Sequence, residues 1–467
     1  AWFGLALWSI SSSATVLDLV RAAPEGSWLQ VNQNPISAAW TPQGFRNDYT
    51  VQGGEMERII YAWSSFAWDS SRSNLIIYGG GHANYGSNDV YTWSGDTLLW
   101  ERSSLPSKIV PAMAGSYTYG YPADGSMNAP ASAHTYDNTV YLQVSDRYLT
   151  FGGAAWNNGG NYVRPTTASS IVATGPYLFD PTKADPWKVG GTTGSGVDPT
   201  SIGGQMWQNR DAFASNPATI KPKSFVDGFS DATVINGKDV VYVAGTQDGT
   251  PKDLYRYTIN SLSDPSLDTW ERVGTSNVSF SFGDTAGALD PVRNIFVRTG
   301  EAGKPFAFWD IDNAGPSNPD QLIIPIDLTG GLMPANTVGY GLIYDPERQQ
   351  FVFWKGGTDV FALTPPNTDV LTGNGWTVTK LDINVPGGPG ALNTIQVLGK
   401  WQYAPDLDAF VALQGPTTGD VWVYKPEGWS DPVSQVPEPG TYALMGLGMW
   451  VVARRVRRIG AGSSHTG

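Results

Sequence analysis

The sequence contains no cysteine and very few histidines. Among its 467 residues none is Cys and three are His. The lack of cysteine excludes a disulfide framework, a thiolate metal site and a cysteine nucleophile. Charged residues make up only 15% of the chain, and the net charge is −13. Because nucleic-acid-binding domains carry a basic face, this charge balance argues against DNA or RNA as a partner.

Familiar catalytic signatures are also absent, whereas aromatic residues are abundant. No P-loop, HExxH or GxSxG motif occurs in the sequence. Aromatic residues make up 12% of the chain, which is far more than disordered sequences contain. The composition therefore predicts a folded chain with an ample apolar core and points to no particular reaction.

The C-terminal segment shows three features in order. The tripeptide Pro437-Glu438-Pro439 precedes an uncharged, mostly apolar run over 440–453. A basic cluster follows, formed by Arg454, Arg455, Arg457 and Arg458. The apolar run is shorter than the ~20 residues of a comfortable membrane span, and the basic cluster favours the cytoplasmic side. This order resembles the PEP-CTERM sorting signal of Gram-negative bacteria. The resemblance implies cleavage by an exosortase, transient anchoring in the inner membrane and a link to exopolysaccharide production.

The N-terminal residues 1–14 resemble the apolar region of a secretory signal peptide, with small residues before a cleavage point. The alternative is that these residues form a buried N-terminal strand. We therefore divide the chain into a signal-peptide remnant (1–14), a folded domain (26–429), a linker (430–436) and a sorting and anchor segment (437–467). The folded domain is expected in the periplasm, on the cell surface or in the extracellular matrix.

A pattern of short strands repeats through the domain. Six β-type apolar runs end in small residues, and each is followed by a second, aromatic strand. A Trp that opens a further strand follows in four units, at Trp100, Trp187, Trp270 and Trp376. The spacings between successive runs are 73, 92, 55, 56 and 59 residues, measured at Ile76, Leu149, Val241, Phe296, Val352 and Val411. The last three spacings approach the ~50 residues of a kelch repeat.

This pattern resembles the kelch family of β-propellers, to which galactose oxidase belongs. The resemblance implies an all-β fold, a single propeller with four-stranded antiparallel blades. Six blades are predicted, with seven as the alternative. Residues 27–31 resemble the last strand of other units, whereas the sixth unit is weak at that position. We therefore predict that this N-terminal strand completes the sixth blade and closes the ring, which hides strand edges that would promote aggregation.

Two of the three histidines are predicted to share one face of the propeller. His82 lies in a loop between the second and third strands of unit one, and His134 lies where the chain enters unit two. In a propeller these two kinds of loop lie on the same face. The alternative is structural, with His82 holding a turn and His134 packed beside core residues. Two histidines alone make a poor metal site, so no metal and no cofactor are predicted.

If the domain is an enzyme, its residue types resemble those of propeller-fold polysaccharide lyases of the ulvan-degrading kind. In those enzymes a His or Tyr takes a proton beside a uronate, and an Arg or His neutralises the carboxylate. The candidate catalytic residues are His82, Tyr85, His134 and Arg164. Copper-radical chemistry of the galactose oxidase kind is not expected, because its cofactor joins a Tyr to a Cys.

Long insertions feed the same face and supply candidate binding residues. They occupy 106–131, 153–175 and 190–225, and long loops on a rigid scaffold often carry binding sites. The alternative is that the fold merely tolerates the extra loop length, which then has no role in binding. The candidate ligand-binding residues are Trp156, Asn157, Asn161, Tyr162, Trp207 and Arg210. Their aromatic rings would stack on sugars, and their polar groups would bind hydroxyls or carboxylates.

The sequence favours an exported, non-catalytic module that binds an exopolysaccharide or another matrix partner. This interpretation depends on the sorting tail, the repeated scaffold and the lack of a catalytic motif. The alternative is an extracytoplasmic polysaccharide lyase or hydrolase that uses the His82/His134 face.

Overall fold

The computed structural model describes residues 14–47, 55–114, 117–156, 160–167, 170–191, 199–211, 222, 224–245, 253–278, 284–331 and 334–432. The residues of the signal-peptide and sorting predictions, apart from Ala14, lie outside these ranges. Asn157 also lies outside the described residues.

The described chain begins with two short elements, helix α1 (Val16–Ala22) and strand β1 (Ser27–Gln30). Thr15 caps α1, because its hydroxyl accepts a hydrogen bond from the Asp18 amide while the Asp18 carboxylate accepts one from the Thr15 amide. A second helix, α2 (Arg58–Tyr61), precedes the first blade. No helix in the described ranges is long and apolar enough to cross a membrane.

Blades one and two are antiparallel four-stranded sheets with added hairpins. Blade one contains β2 (Phe66–Asp69), β3 (Asn74–Tyr78), β4 (Val90–Ser94) and β5 (Trp100–Arg102). A hairpin of β6 (Ile109–Ala114) and β7 (Tyr117–Pro122) follows it. The second blade begins with β8 (Thr139–Leu142) and β9 (Arg147–Thr150), continues through the hairpin β10 (Val163–Thr167) and β11 (Ser170–Ala173), and ends with β12 (Tyr177–Phe179) and β13 (Trp207–Asn209).

Blades three to five repeat the same meander. The strands of blade three are β14 (Ser230–Ile235), β15 (Lys238–Gly245), β16 (Asp253–Thr258) and β17 (Thr269–Gly274). Those of blade four are β18 (Gly287–Asp290), β19 (Ile295–Thr299), β20 (Phe306–Asp310) and β21 (Gln321–Ile323). Blade five begins with a short edge strand, β22 (Ile326–Asp327), which runs parallel to its last strand, and continues with β23 (Gly341–Asp345), β24 (Gln350–Trp354), β25 (Val360–Thr364) and β26 (Thr377–Lys380).

Blade six contains both ends of the propeller. Its strands are β27 (Trp401–Ala404), β28 (Ala409–Gln414), β29 (Asp420–Lys425) and the N-terminal β1. Strand β1 pairs antiparallel with β29, with Trp28 opposite Tyr424. The six first strands contact one another in a closed circle around the axis. The predicted six-bladed, all-β propeller and its closure by the N-terminal strand are confirmed.

The first strand of every blade is innermost, and the four antiparallel strands of each blade alternate in direction. The loops that join them therefore lie on two opposite faces of the ring. We call the upper face the one that carries the loops between second and third strands and the connections between blades. The lower face carries the turns between first and second strands and between third and fourth strands.

The predicted fourth-strand tryptophan is correct in three blades and wrong in blade two. Trp100 opens β5, Trp270 lies in β17, and Trp376 immediately precedes β26. In blade two the fourth strand opens with Trp207, whereas Trp187 is 59% exposed and lies outside the sheet. The reason is the long segment between β12 and β13, which moves the fourth strand about 20 residues further along the chain than the pattern suggests.

Candidate functional site

The connections that enter the blades converge on the axis at the upper face. There they bring together side chains from five blades, which we call the upper axial cluster. Its members are Trp63, His82, Asn84, His134, Tyr136, Asp227, Asp284 and Lys400. Six of the eight lie in the few residues that precede an innermost strand, and His82 and Asn84 lie in the loop between β3 and β4, so the fold places them around one point.

A glycine triplet allows the two histidines to approach each other. Gly79, Gly80 and Gly81 all have positive φ angles. A Cβ on Gly81 would lie 2.1 Å from the backbone nitrogen of His134, so only glycine fits this contact. The backbone amides of His82 and His134 both donate to the carbonyl of Ala154, at 3.2 and 2.9 Å. The two imidazole centroids are 6.0 Å apart.

The two histidines differ in their surroundings. His82 is exposed, whereas His134 is 2% exposed. The Asn84 side-chain amide donates both to the His82 carbonyl and to His134 Nε2, each over 2.9 Å. Burial, and then the nearby charges of His82 and Lys400, lower the pKa of His134 to about 3. His134 is therefore a neutral acceptor near pH 7 whose Nε2 already has a hydrogen-bond partner. Because that nitrogen is occupied and weakly basic, His134 is poorly suited to act as a general base.

Trp63 lies against His134 and reaches across the axis. Its indole Nε1 donates to Asp284 Oδ2 over 3.0 Å, and its ring centroid lies 5.0 Å from that of His134. Trp63 enters blade one and Asp284 enters blade four, which is the opposite blade of the ring. The hydrogen bond thus crosses the axis at the upper mouth, and we call the surface around it the axial basin. Trp63 and Asp284 are both half-buried, so their edges remain accessible.

Lys400 lies beneath this basin and is fully buried. Its ammonium donates to the carbonyls of Ala62 and Ser64 at 3.2 Å and to that of Ile395 at 3.4 Å. Burial lowers the pKa of Lys400 to about 7, although the carboxylate of Asp284 opposes the shift. These bonds fasten the start of blade six to the start of blade one.

The other candidate catalytic residues lie elsewhere. Tyr85 is 2% exposed, and its hydroxyl donates to Asp89 over 3.0 Å. Arg164 is half-buried and pairs with Asp211 over 3.1 Å. The structure therefore unites only His82 and His134 among the four candidates and pairs Arg164 away from them. In the described ranges no group of three or more His, Asp or Glu residues could hold a metal ion.

The candidate ligand-binding residues are mostly buried, which corrects the expectation of an exposed stacking surface. Trp156 is 3% exposed, Tyr162 is 0% exposed and Trp207 is 5% exposed. Trp207 packs edge-on against Phe179 within blade two. Tyr162 and Trp207 lie in the core of blade two, Trp207 as part of its fourth strand, and the Trp156 ring packs against Gly120 of the β6–β7 hairpin. Their rings therefore contribute to packing and not to an exposed surface.

The two described polar candidates also have structural partners. Arg210 is fully buried and forms a bidentate ion pair with Asp268 of the next blade, with a shortest distance of 2.7 Å. Asn161 accepts a hydrogen bond from the Phe225 amide over 3.0 Å. Both side chains thus hold blade two and its insertion against blade three.

Sequence reasoning missed Trp63, Asp284 and Lys400 as members of the site. Each stands within three residues of an innermost strand, at Phe66, Gly287 and Trp401 respectively. Aligning the six short segments that precede the innermost strands would have pointed to these positions. The search by residue type favoured the long insertions instead.

A cavity of about 440 Å³ opens at the lower end of the axis. All six innermost strands or their turns contribute to its wall, including Trp68, Tyr141, Asp231, Tyr344 and Tyr403. Burial raises the pKa of Asp231 to about 6. This cavity lies on the face opposite to the one that the sequence favoured.

Comparison with protein families identifies the C-terminal segment. Residues 435–458 match the family described as the PEP-CTERM protein-sorting motif. The motif indicates an exported protein that is sorted at a membrane, and it implies processing by an exosortase. The sequence prediction for this segment is thus confirmed at that level. No curated protein matches the chain.

Solved propellers resemble the chain only distantly. An α-L-arabinofuranosidase from Fusarium graminearum is 11% identical, with a TM-score of 0.41, over 79% of this chain and 98% of the other. An α-L-arabinanase from Penicillium chrysogenum is 11% identical, with a TM-score of 0.40, over 85% and 96%. A lectin from Aleuria aurantia is 11% identical, with a TM-score of 0.37, over 79% and 99%.

Proposed function

We propose that this protein is an exported, non-catalytic carbohydrate-binding module whose binding surface is the upper axial cluster. The ligand is an exopolysaccharide or another glycan of the extracellular matrix. The same proposal includes three further points: the blades are of the kelch type, the source is a Gram-negative bacterium, and the chain is transiently anchored in the inner membrane.

The observation that carries the proposal is the composition of this axial basin. The exposed imidazole of His82 and the half-buried indole of Trp63 both lie beside His134, and Trp63 donates to the half-buried carboxylate of Asp284. The half-buried carboxylate of Asp227 lies beside Tyr136, whose ring contacts His134. Aromatic rings offer a surface for the apolar face of a sugar, and carboxylates accept hydrogen bonds from its hydroxyls. Binding needs no more than such groups in a fixed arrangement.

The same arrangement gives little support to the alternative of a lyase or hydrolase. A lyase needs a base that is free to take a proton and a positive group that stabilises the anion. His134 is bonded to Asn84, and Arg164 and Arg210 are paired with Asp211 and Asp268. Among these candidates the exposed His82 is the one whose imidazole could take a proton. The enzymatic hypothesis would be restored if the protein released reducing ends or unsaturated uronates from a bound polysaccharide and His82→Ala abolished that release.

A glycan-array screen of the purified protein tests the proposal. Affinity for any hit is expected to fall at least about tenfold in His82→Ala, which corresponds to ~1.4 kcal/mol. His82 is exposed, so this variant should fold normally. Glu347→Ala, at an exposed turn of the lower face, is the matched control and should bind like the original protein. A protein that binds no glycan, or that loses binding only in the control, would refute the proposal.

Export and processing are tested separately by deletion of residues 437–467. Cells that produce the full chain should show a processed form outside the cytoplasm, and the deletion should change both size and location. Identical fractionation of the two forms would contradict the proposed role of the tail.

A further inference from the structure

The chain leaves the propeller on its lower face at the C-terminal end. After β29, residues 427–430 cross the lower turns of blades five and six. Arg348 donates to the Glu427 carbonyl over 2.8 Å, and Trp429 Nε1 donates to the Leu407 carbonyl over 2.7 Å. The Ser430 amide bonds to Asp408 over 2.8 Å. The exit point of the sorting segment is therefore fixed to the lower face.

The N-terminal segment enters from the same corner. The Val16 amide donates to the carbonyl of Gly95, in the lower turn between β4 and β5, over 2.7 Å. Arg21 of helix α1 forms a bidentate pair with Asp431 at 2.8 and 3.0 Å. Helix α1 is seven residues long, about 10 Å, so the two chain ends emerge close together between blades one and six.

Exposed aliphatic side chains mark the rest of the lower face. They occupy the lower turns of blades two to five, at Val144, Val234, Ile235, Leu267, Val292 and Leu371. Their exposed fractions range from 39% for Ile235 to 61% for Val292. On the upper face, the described loops 79–89, 300–305, 355–359 and 415–419 carry no exposed large apolar side chain, whereas Met127, Val172 and Val385 are exposed in the blade connections and the blade-two insertion. We call the six residues of the lower turns the lower apolar rim.

The sequence after Pro432 limits how far this face can lie from a membrane. Residues 433–439 are the only link between the lower face and the apolar run over 440–453. Seven residues span at most ~25 Å when fully extended. If the apolar run is inserted, the blade six corner of the lower face must lie within that distance of it. The rim on blades two to five can then complete the contact on the far side of the ring, as apolar side chains do in the interfacial region of a bilayer.

We propose that the lower face of the propeller lies on the bilayer while the sorting segment is inserted. The upper axial cluster then points away from the membrane, toward the extracytoplasmic space. This orientation depends on the membrane-sorting role of the C-terminal motif and does not depend on glycan binding.

The absence of cysteine allows a direct test with single thiols. Val292→Cys, on the lower face, and Ala302→Cys, on the upper face, flank the same strand, β19, whose five residues separate them by ~17 Å. The full chain carrying either thiol is labelled with a fluorophore and reconstituted in vesicles of phosphatidylethanolamine and phosphatidylglycerol that contain a headgroup quencher. The label at Val292→Cys is expected to be quenched several-fold more than the label at Ala302→Cys.

Rim substitutions separate the contribution of the rim from that of the tail. Replacing Val144, Val234 and Leu371 by Ser should reduce quenching of the lower label, whereas Leu328→Ser, which is 63% exposed on the outer edge of blade five, should not. Equal quenching of the two labels, stronger quenching of the upper label, or failure of the full chain to bind vesicles would overturn the proposal. A rim variant that changes the oligomeric state and leaves quenching unchanged would also overturn it, because the rim would then serve a protein contact.

Discussion

Trp63 donates a hydrogen bond to Asp284 across the propeller axis, over 3.0 Å, although 221 residues separate them along the chain. The bond joins blades one and four, which lie on opposite sides of the ring. Because it spans the axis, it ties the two halves of the propeller together at the proposed axial basin.

Trp63→Phe should lower the free energy of unfolding by about 2 kcal/mol, because it removes a hydrogen bond to a charged group and leaves the Asp284 carboxylate without this donor. Denaturant titration of both proteins measures the change. Trp187→Phe, at a 59% exposed position, should cost less than about 0.5 kcal/mol. Equal losses in the two variants would show that the cross-axis bond contributes nothing specific.

His134 should make the fold sensitive to mild acid. Its pKa is about 3 in the folded protein, against about 6.5 in an unfolded chain. Between these values the unfolded chain binds a proton that the folded protein does not, so stability falls as the pH drops from about 6.5 toward 3. Unfolding curves at several pH values should show a smaller decline for His134→Gln, which keeps an acceptor for Asn84 and cannot be protonated. Parallel declines in the two proteins would assign the acid sensitivity to carboxylates alone.

Arg210→Met should destabilise the protein by about 3–5 kcal/mol, since it leaves Asp268 buried without its cationic partner. Thermal and denaturant unfolding of the purified variant give the measurement. The pair of Arg256 and Glu271 is partly exposed, so Arg256→Met should cost only about 0.5 kcal/mol. A stable Arg210 variant that had lost glycan binding would instead support the sequence prediction of a ligand contact there.

Trp28→Ala should weaken closure of the ring. The indole lies between Trp354 of blade five and Trp401 and Tyr424 of blade six, with centroid distances of 5.8, 5.9 and 5.3 Å. Loss of a buried tryptophan costs about 3–5 kcal/mol, and the freed edge of β29 should promote aggregation. Light scattering and unfolding curves report both effects. Gln30→Ala, at an exposed position of the same strand, should leave light scattering and unfolding unchanged, and a Trp28 variant that behaves like it would argue against this role in closure.

The candidate site was only partly predictable from the sequence. The positions of His82 and His134 followed from strand order, because loops of one topological class must lie on one face. Their different burial did not follow, since it depends on Ala154, Asn84 and Lys400, which reach the axis from three different blades. The burial of Trp156, Tyr162 and Trp207 did not follow either, because a residue type does not reveal whether it belongs to a strand of the blade or how an insertion packs.

The sequence by itself determined the sorting tail, the strand repeats and the closing strand, because each depends on local order along the chain: an apolar run beside charges, a period of short strands, or an unpaired final strand. Only the tertiary structure decided which side chains meet at the axis and which face carries both chain ends. Contacts such as Trp63 with Asp284 and Arg21 with Asp431 join residues 221 and 410 positions apart. Such pairs form only when all six blades close into a ring, so no local pattern records them.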